Sequence, residues 1–161
     1  MNTPHSHIPY PDTDGIIKAP TLVGKVASVR ALELDAISDH IYLALIFERS
    51  APALSELFEK LAGSEMEHFL LLGKMTIALG GDPAIKLRQH GGIAGERGSS
   101  KGLSSPCHIL KLTLDRERYM LENYDRLLAI FSGDAVARAL IERIILDKEH
   151  HAKMLSRAID A

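Results

Sequence analysis

Six side chains in this sequence have the types and the spacing of a metal centre: Glu33, Glu65, His68, Glu117, Lys148 and His151. Glu65 and His68 are three residues apart, which on a helix puts both side chains on one face, one turn from each other. In bundle-held dinuclear sites, two such Glu-x-x-His pairs combine with one glutamate from each of the other two helices, and divalent metal binds between them. An ionised carboxylate is prohibitively expensive to bury alone, so three of them sharing a core need compensating positive charge. A divalent ion supplies that charge. The alternative is an ionic core without metal, in which Glu33, Glu65 and Glu117 are balanced by Lys148 and the two histidines.

Each of these residues interrupts an apolar stripe of helical period. Val26, Val29, Glu33, Ala36, His40, Ala44 and Phe47 form one face, and Leu54, Leu57, Leu61, Glu65, His68, Leu72, Met75 and Leu79 a second. The third runs Leu110, Thr113, Glu117, Met120, Tyr124, Leu127 and Phe131, and the fourth Ala137, Leu140, Ile144, Lys148, His151, Leu155 and Ala158. Ser50 with Pro52 reads as an N-cap and first-turn proline, Gly80-Gly81-Asp82-Pro83 as a stop, and Ser105-Pro106 as a restart. The sequence therefore predicts an all-α four-helix bundle over 21–161, preceded by an extended, proline-rich arm over 1–20. The glycine-rich stretch 82–103 makes one long crossover between the second and third helices, as in the ferritin-like variant of the bundle.

Bulk properties agree and exclude other classes. With 161 residues the chain has room for one real core. A formal net charge of −2 gives no reason to expect nucleic acid or an anionic membrane surface as partner. Cys107 is the single cysteine, so no intrachain disulfide forms and a cytoplasmic, reducing compartment is expected. Cys107 follows Ser105-Pro106 at a helix start, but nothing pairs it with a base, and the glycines of 91–102 lack a phosphate-loop pattern.

These residues resemble the rubrerythrin/bacterioferritin group of ferritin-like proteins, in particular short bacterial forms. Glu33-Leu34-Asp35-Ala36-Ile37 is similar to that group's first-helix motif, and Ser64-Glu65-Met66-Glu67-His68 with Leu79-Gly80-Gly81-Asp82-Pro83 to its second. Glu117, with Tyr124 seven residues on, fits the third helix, and Ile145-Leu146-Asp147-Lys148-Glu149-His150-His151 the fourth. The resemblance covers roughly 20–160 and implies metal ligation by Glu33, Glu65, His68, Glu117 and His151. It also implies iron or manganese chemistry: an oxidase, a ferroxidase- or peroxidase-type oxidoreductase, or an iron-handling protein.

Two positions depart from the pattern. Lys148 stands where the resemblance implies the last glutamate, and His40 where it implies a tyrosine. Three carboxylates and one ammonium leave about −2, which one divalent ion balances, whereas four carboxylates balance two. A mononuclear or weakly occupied site follows. Desolvation would lower the pKa of Lys148, and a neutral amine would be able to ligate. His40 and Glu149 are further candidate ligands, although Glu149, like Asp147, lies about 100° around the helix from Lys148 and needs a local bulge to turn inward. The alternative function is a degenerate bundle with little or no metal, a structural or interaction protein. A homo-oligomer, dimer or larger, is expected from the resemblance and from the apolar surplus at Phe69-Leu70-Leu71-Leu72.

Overall fold

Proline and capping chemistry set where the helices begin. In the computed structural model, which describes residues 8–84 and 105–161, four helices follow one another: α1 (Val23–Phe47), α2 (Pro52–Ala78), α3 (Pro106–Ile130) and α4 (Ala135–Asp160). A short 3₁₀ turn, Pro20–Leu22, leads into α1. Pro52 and Pro106 occupy the first turns of α2 and α3, where a missing N–H costs nothing. Ser105 Oγ accepts from His108 N at 3.3 Å, and the Asp134 carboxylate accepts from Val136 N and Ala137 N at 3.1 and 2.9 Å.

One boundary differs from the sequence reading. Ala51, not Ser50, is the N-cap of α2, and it makes no side-chain capping bond. The residue before a proline is pushed out of the helical region, and here that residue is Ala51, at φ −152°. At the other end of α2 the glycine stop is as read. Gly80 turns the chain with φ +90°, and a Cβ on Gly81 would sit 2.6 Å from the Val23 side chain, so α1 starts against bare backbone.

Two apolar clusters define the topology. One joins Val26 and Val29 of α1, Leu72 and Met75 of α2, Tyr124 and Leu127 of α3, and Leu140 and Ile144 of α4. The other joins Leu43 and Phe47, Phe58 and Leu61, Ile109 and Leu110, and Leu155. Thus α2 and α3 both run from the second cluster to the first and are parallel, while α1–α2 and α3–α4 are antiparallel pairs. The end of α2 and the start of α3 lie at opposite ends of the bundle. This is the all-α bundle with a single long crossover that the stripes predict.

Residues 8–19, from the region expected to be an extended arm, hold no helix and lie along the bundle. Ile17 N donates to Asp134 Oδ2 at 2.8 Å, Ala19 N to Leu79 O at 3.2 Å, and Arg143 Nε to Ile8 O at 3.0 Å. Ile16 is buried in the first cluster and Tyr10 packs against it. Among the described residues no helix is long and apolar enough to cross a membrane.

Candidate metal centre

Between the two apolar clusters lies a polar layer. Glu33 comes from α1, Glu65 and His68 from α2, Glu117 from α3, and Lys148 and His151 from α4. All six are 0–5% exposed. The structure therefore brings these six residues together, and it divides them into two halves about Glu65.

In the first half, Glu33, Glu65 and His68 offer ligand atoms within 4.8 Å of one another. That space is already claimed. Lys148 Nζ donates to Glu33 Oε2 at 3.0 Å and to Glu65 Oε2, with Met120 Sδ at 3.6 Å. His68 Nδ1 is 3.0 Å from Glu65 Oε2, and its Nε2 is 3.2 Å from Asp147 Oδ2. Tyr124 OH donates to Glu33 Oε1. Both oxygens of Glu33 and both nitrogens of His68 are satisfied.

The second half is Glu65, Glu117 and His151, again within 4.8 Å. Here Glu65 Oε1, Glu117 Oε2 and His151 Nδ1 are all buried without a hydrogen-bond partner. His151 Nδ1 is 3.2 Å from Glu65 Oε1 and 3.4 Å from Glu117 Oε2, close enough for charge attraction, without a hydrogen bond of normal geometry. The remaining nitrogen, Nε2, meets Ser64 Oγ at 3.0 Å and is thereby oriented. Buried polar atoms are nearly always hydrogen-bonded, and these three meet through charge attraction alone, so they form the donor set of the layer that a cation could take. Two carboxylate oxygens and an imidazole nitrogen are a donor set that suits iron, manganese or zinc. A divalent ion fits this half. It does not fit the first, where an ammonium already neutralises the carboxylates.

The charge states follow from the neighbours. Burial alone would lower the pKa of Lys148, as the sequence reading expects, but Glu117, Glu33 and Glu65 raise it above its ordinary value. Lys148 is thus an ammonium, and the neutral-amine ligand drops out. Burial and the neighbouring Glu65 raise Glu33 to about 8, against the pull of Lys148. Burial also raises Glu65, yet Lys148, His151 and His68 together hold it well below the carboxylate range. Burial lowers His151, but Glu65 and Glu117 overcome it and take the imidazole up to about 9. Without an ion, His151 itself is the cation of the second half.

His40 and Glu149 are placed elsewhere. His40 is buried against Phe58, ring centroids 5.9 Å apart, and burial holds its pKa down. Its ring belongs to neither ligand group. Glu149 is exposed and lines a surface groove of about 470 Å³ with Arg118 and Lys153. Asp147 needs no bulge to take part, because it faces His68 rather than the centre. Burial raises its pKa, but hydrogen bonds from His68, Arg143 and Tyr10 win and hold it below the usual carboxylate range.

Sequence reasoning missed Tyr10, whose hydroxyl donates to Asp147 Oδ2 and whose ring lies under the Arg143 guanidinium at 4.5 Å. Its partner is 137 residues away, and no local periodicity reports such a contact. Ser64 was visible only as part of a motif. Cys107 is exposed at the start of α3, outside the centre.

The Ferritin-like domain model (Ferritin) matches residues 30–161. No curated protein matches the chain. Among solved structures, the bacterioferritin of Desulfovibrio desulfuricans, described with its diiron site in different catalytic states, is similar with a TM-score of 0.74. It shares 22% identity, with 87% of this chain and 78% of that one covered. At that identity the likeness speaks to the fold, and the family match carries the assignment: the chain belongs to the ferritin-like domain family.

Proposed function

We propose that the protein binds a divalent metal, iron or manganese, in its bundle core and works in iron handling or in metal-dependent oxidation. The observation that carries the reading is the convergence of Glu65 Oε1, Glu117 Oε2 and His151 Nδ1, buried and unpaired. The diiron site described for the similar bacterioferritin supports iron as the metal. Bound iron would supply Lewis acidity and redox chemistry towards oxygen or peroxide. The chain's own residues would hold the ion, keep bulk water from it through the two apolar clusters, and orient His151 through Ser64.

The test is anaerobic titration of the chelator-treated protein with Fe(II), followed by exposure to oxygen and, separately, to hydrogen peroxide. Binding followed by faster loss of Fe(II) than in buffer supports iron handling, and sustained peroxide consumption supports a scavenger. A protein that binds neither Fe(II) nor Mn(II) would instead be a structural bundle with an ionic core. The fully buried Lys148, with its bonds to Glu33 and Glu65, favours that second reading.

We also place the protein in the cytoplasm as a homo-oligomer. Ile41 and Leu45 of α1, with Met66, Leu70 and Ile77 of α2, expose large apolar surface on the outer faces of the first two helices. Mass measurement in solution checks this, and Leu70→Glu should shift the species towards monomer.

A further inference from the structure

The two halves of the polar layer share Glu65 and differ in what satisfies them. Glu65 Oε2 receives Lys148 and His68, whereas Glu65 Oε1 faces Glu117 and His151 with no hydrogen bond. Glu33 is spoken for on both oxygens, by Lys148 and by Tyr124. We infer that Lys148 is a built-in cation standing in place of a second metal ion, so that the centre takes one divalent ion, at Glu65, Glu117 and His151, and not two. The inference rests on the metal-binding reading above and assigns its stoichiometry and its place.

The charge balance is local. Glu65 and Glu117 bring two negative charges to one divalent ion once His151 is neutral, while Lys148 is held on Glu33 and on the other oxygen of Glu65. A second ion would have to enter between Glu33, Glu65 and His68, where it would meet an ammonium 3.0 Å from Glu33 Oε2. Like charges so close in a buried layer cost far more than one shared carboxylate returns. Lys148 cannot swing out to make room, because its side chain is fully buried and comes from the same stretch of α4 as His151. Replacing it by glutamate would supply a fourth carboxylate and remove the repulsion together.

Equilibrium dialysis of the chelator-treated full chain against Mn(II) without oxygen counts the ions. The wild type should bind one Mn(II) per chain, and Lys148→Glu two. Glu117→Gln should weaken the wild-type ion by more than about 100-fold, since a lost ligand exceeds the 10–100-fold effect of an outer partner, and Glu33→Gln by less than about 3-fold. Two ions in the wild type would overturn the inference and leave the metal reading standing; none would overturn the metal reading itself. One ion that survives Glu117→Gln but is lost in Glu33→Gln would place it in the first half and refute the assignment. If Lys148→Glu fails to fold, judged by circular dichroism, the contrast between the two glutamine variants still decides.

Discussion

The two halves of the polar layer hold the same inventory, two carboxylates and a histidine, and put it to opposite ends. Around Glu33, Glu65 and His68 every described polar contact is made inside the protein: Lys148 and Tyr124 on Glu33, Asp147 on His68, with Tyr10 and Arg143 behind Asp147. Around Glu65, Glu117 and His151 three ligand atoms face one another through charge attraction without a hydrogen bond. A satisfied buried network rigidifies a core, and an unsatisfied one is expensive unless something enters it. In the proposed centre a single residue, Lys148, turns one half of a symmetric-looking site into scaffold and leaves the other half to the ion.

If the first half is scaffold, breaking it should cost folding stability. Lys148→Met leaves the Glu65 and Glu117 carboxylates without their ammonium and faces them with an apolar side chain, and should destabilise the metal-free protein by about 3–5 kcal/mol at neutral pH. Urea unfolding in the presence of chelator measures it. Part of the loss should return as the pH falls towards about 5, because the carboxylates then neutralise by protonation. A loss below about 1 kcal/mol would mean that Lys148 is not what holds these charges, and the comparison between the halves would collapse.

The second half should reveal itself through pH. Without metal, His151 has a folded pKa of about 9, above the roughly 6.5 of an unfolded chain, since Glu65 and Glu117 outweigh burial. A raised histidine stabilises fully below the unfolded value, and that stability is lost as pH rises through the folded one. The chelated protein should therefore lose up to about 3 kcal/mol from His151 between about pH 6.5 and 9, while Glu33, raised to about 8, adds a loss of the same sign as pH rises towards that value. Mn(II) should abolish the His151 share of this dependence and leave that of Glu33, since ligation needs the neutral imidazole. Equal slopes with and without Mn(II) would show that His151 does not bind the ion.

Much of this was legible in the sequence, and the reasons it was are physical. Glu33, Glu65, His68, Glu117, Lys148 and His151 each sit on a stripe of period 3.6, and a bundle with apolar ends must bring mid-stripe residues to one level. The crossover followed from Gly80-Gly81 and Ser105-Pro106 in the same way. Three things were not legible. His40 shares the α1 stripe, yet its ring sits against Phe58; a stripe fixes the face a residue lies on, not the direction its ring takes. The protonation of Lys148 depends on three carboxylates from three other helices, and desolvation, the part visible from sequence, has the opposite sign. Tyr10 reaches Asp147 from a segment whose prolines said only that it was not helical.

The smallest expected effects separate the halves most cleanly, because each histidine has one outer partner of a different kind. Asp147 accepts from His68 Nε2 at 3.2 Å, and Ser64 Oγ meets His151 Nε2 at 3.0 Å. An outer hydrogen bond fixes the ring and tunes the basicity of the other nitrogen, so its loss matters to metal only where that nitrogen ligates. Ser64→Ala should weaken Mn(II) binding about 10-fold while changing metal-free stability by less than about 1 kcal/mol. Asp147→Asn should do the reverse. It removes the charge shared by His68, Arg143 and Tyr10, costing about 1–3 kcal/mol, with Mn(II) affinity within about 3-fold of wild type. Asp147 also stabilises only while ionised; its depressed pKa means this contribution is present above about pH 4 and fades as pH falls further, so the variant should show a shallower acid limb. Were Asp147→Asn to cost metal affinity and Ser64→Ala to cost none, the ion would belong with His68. The half described as scaffold would then be the working one.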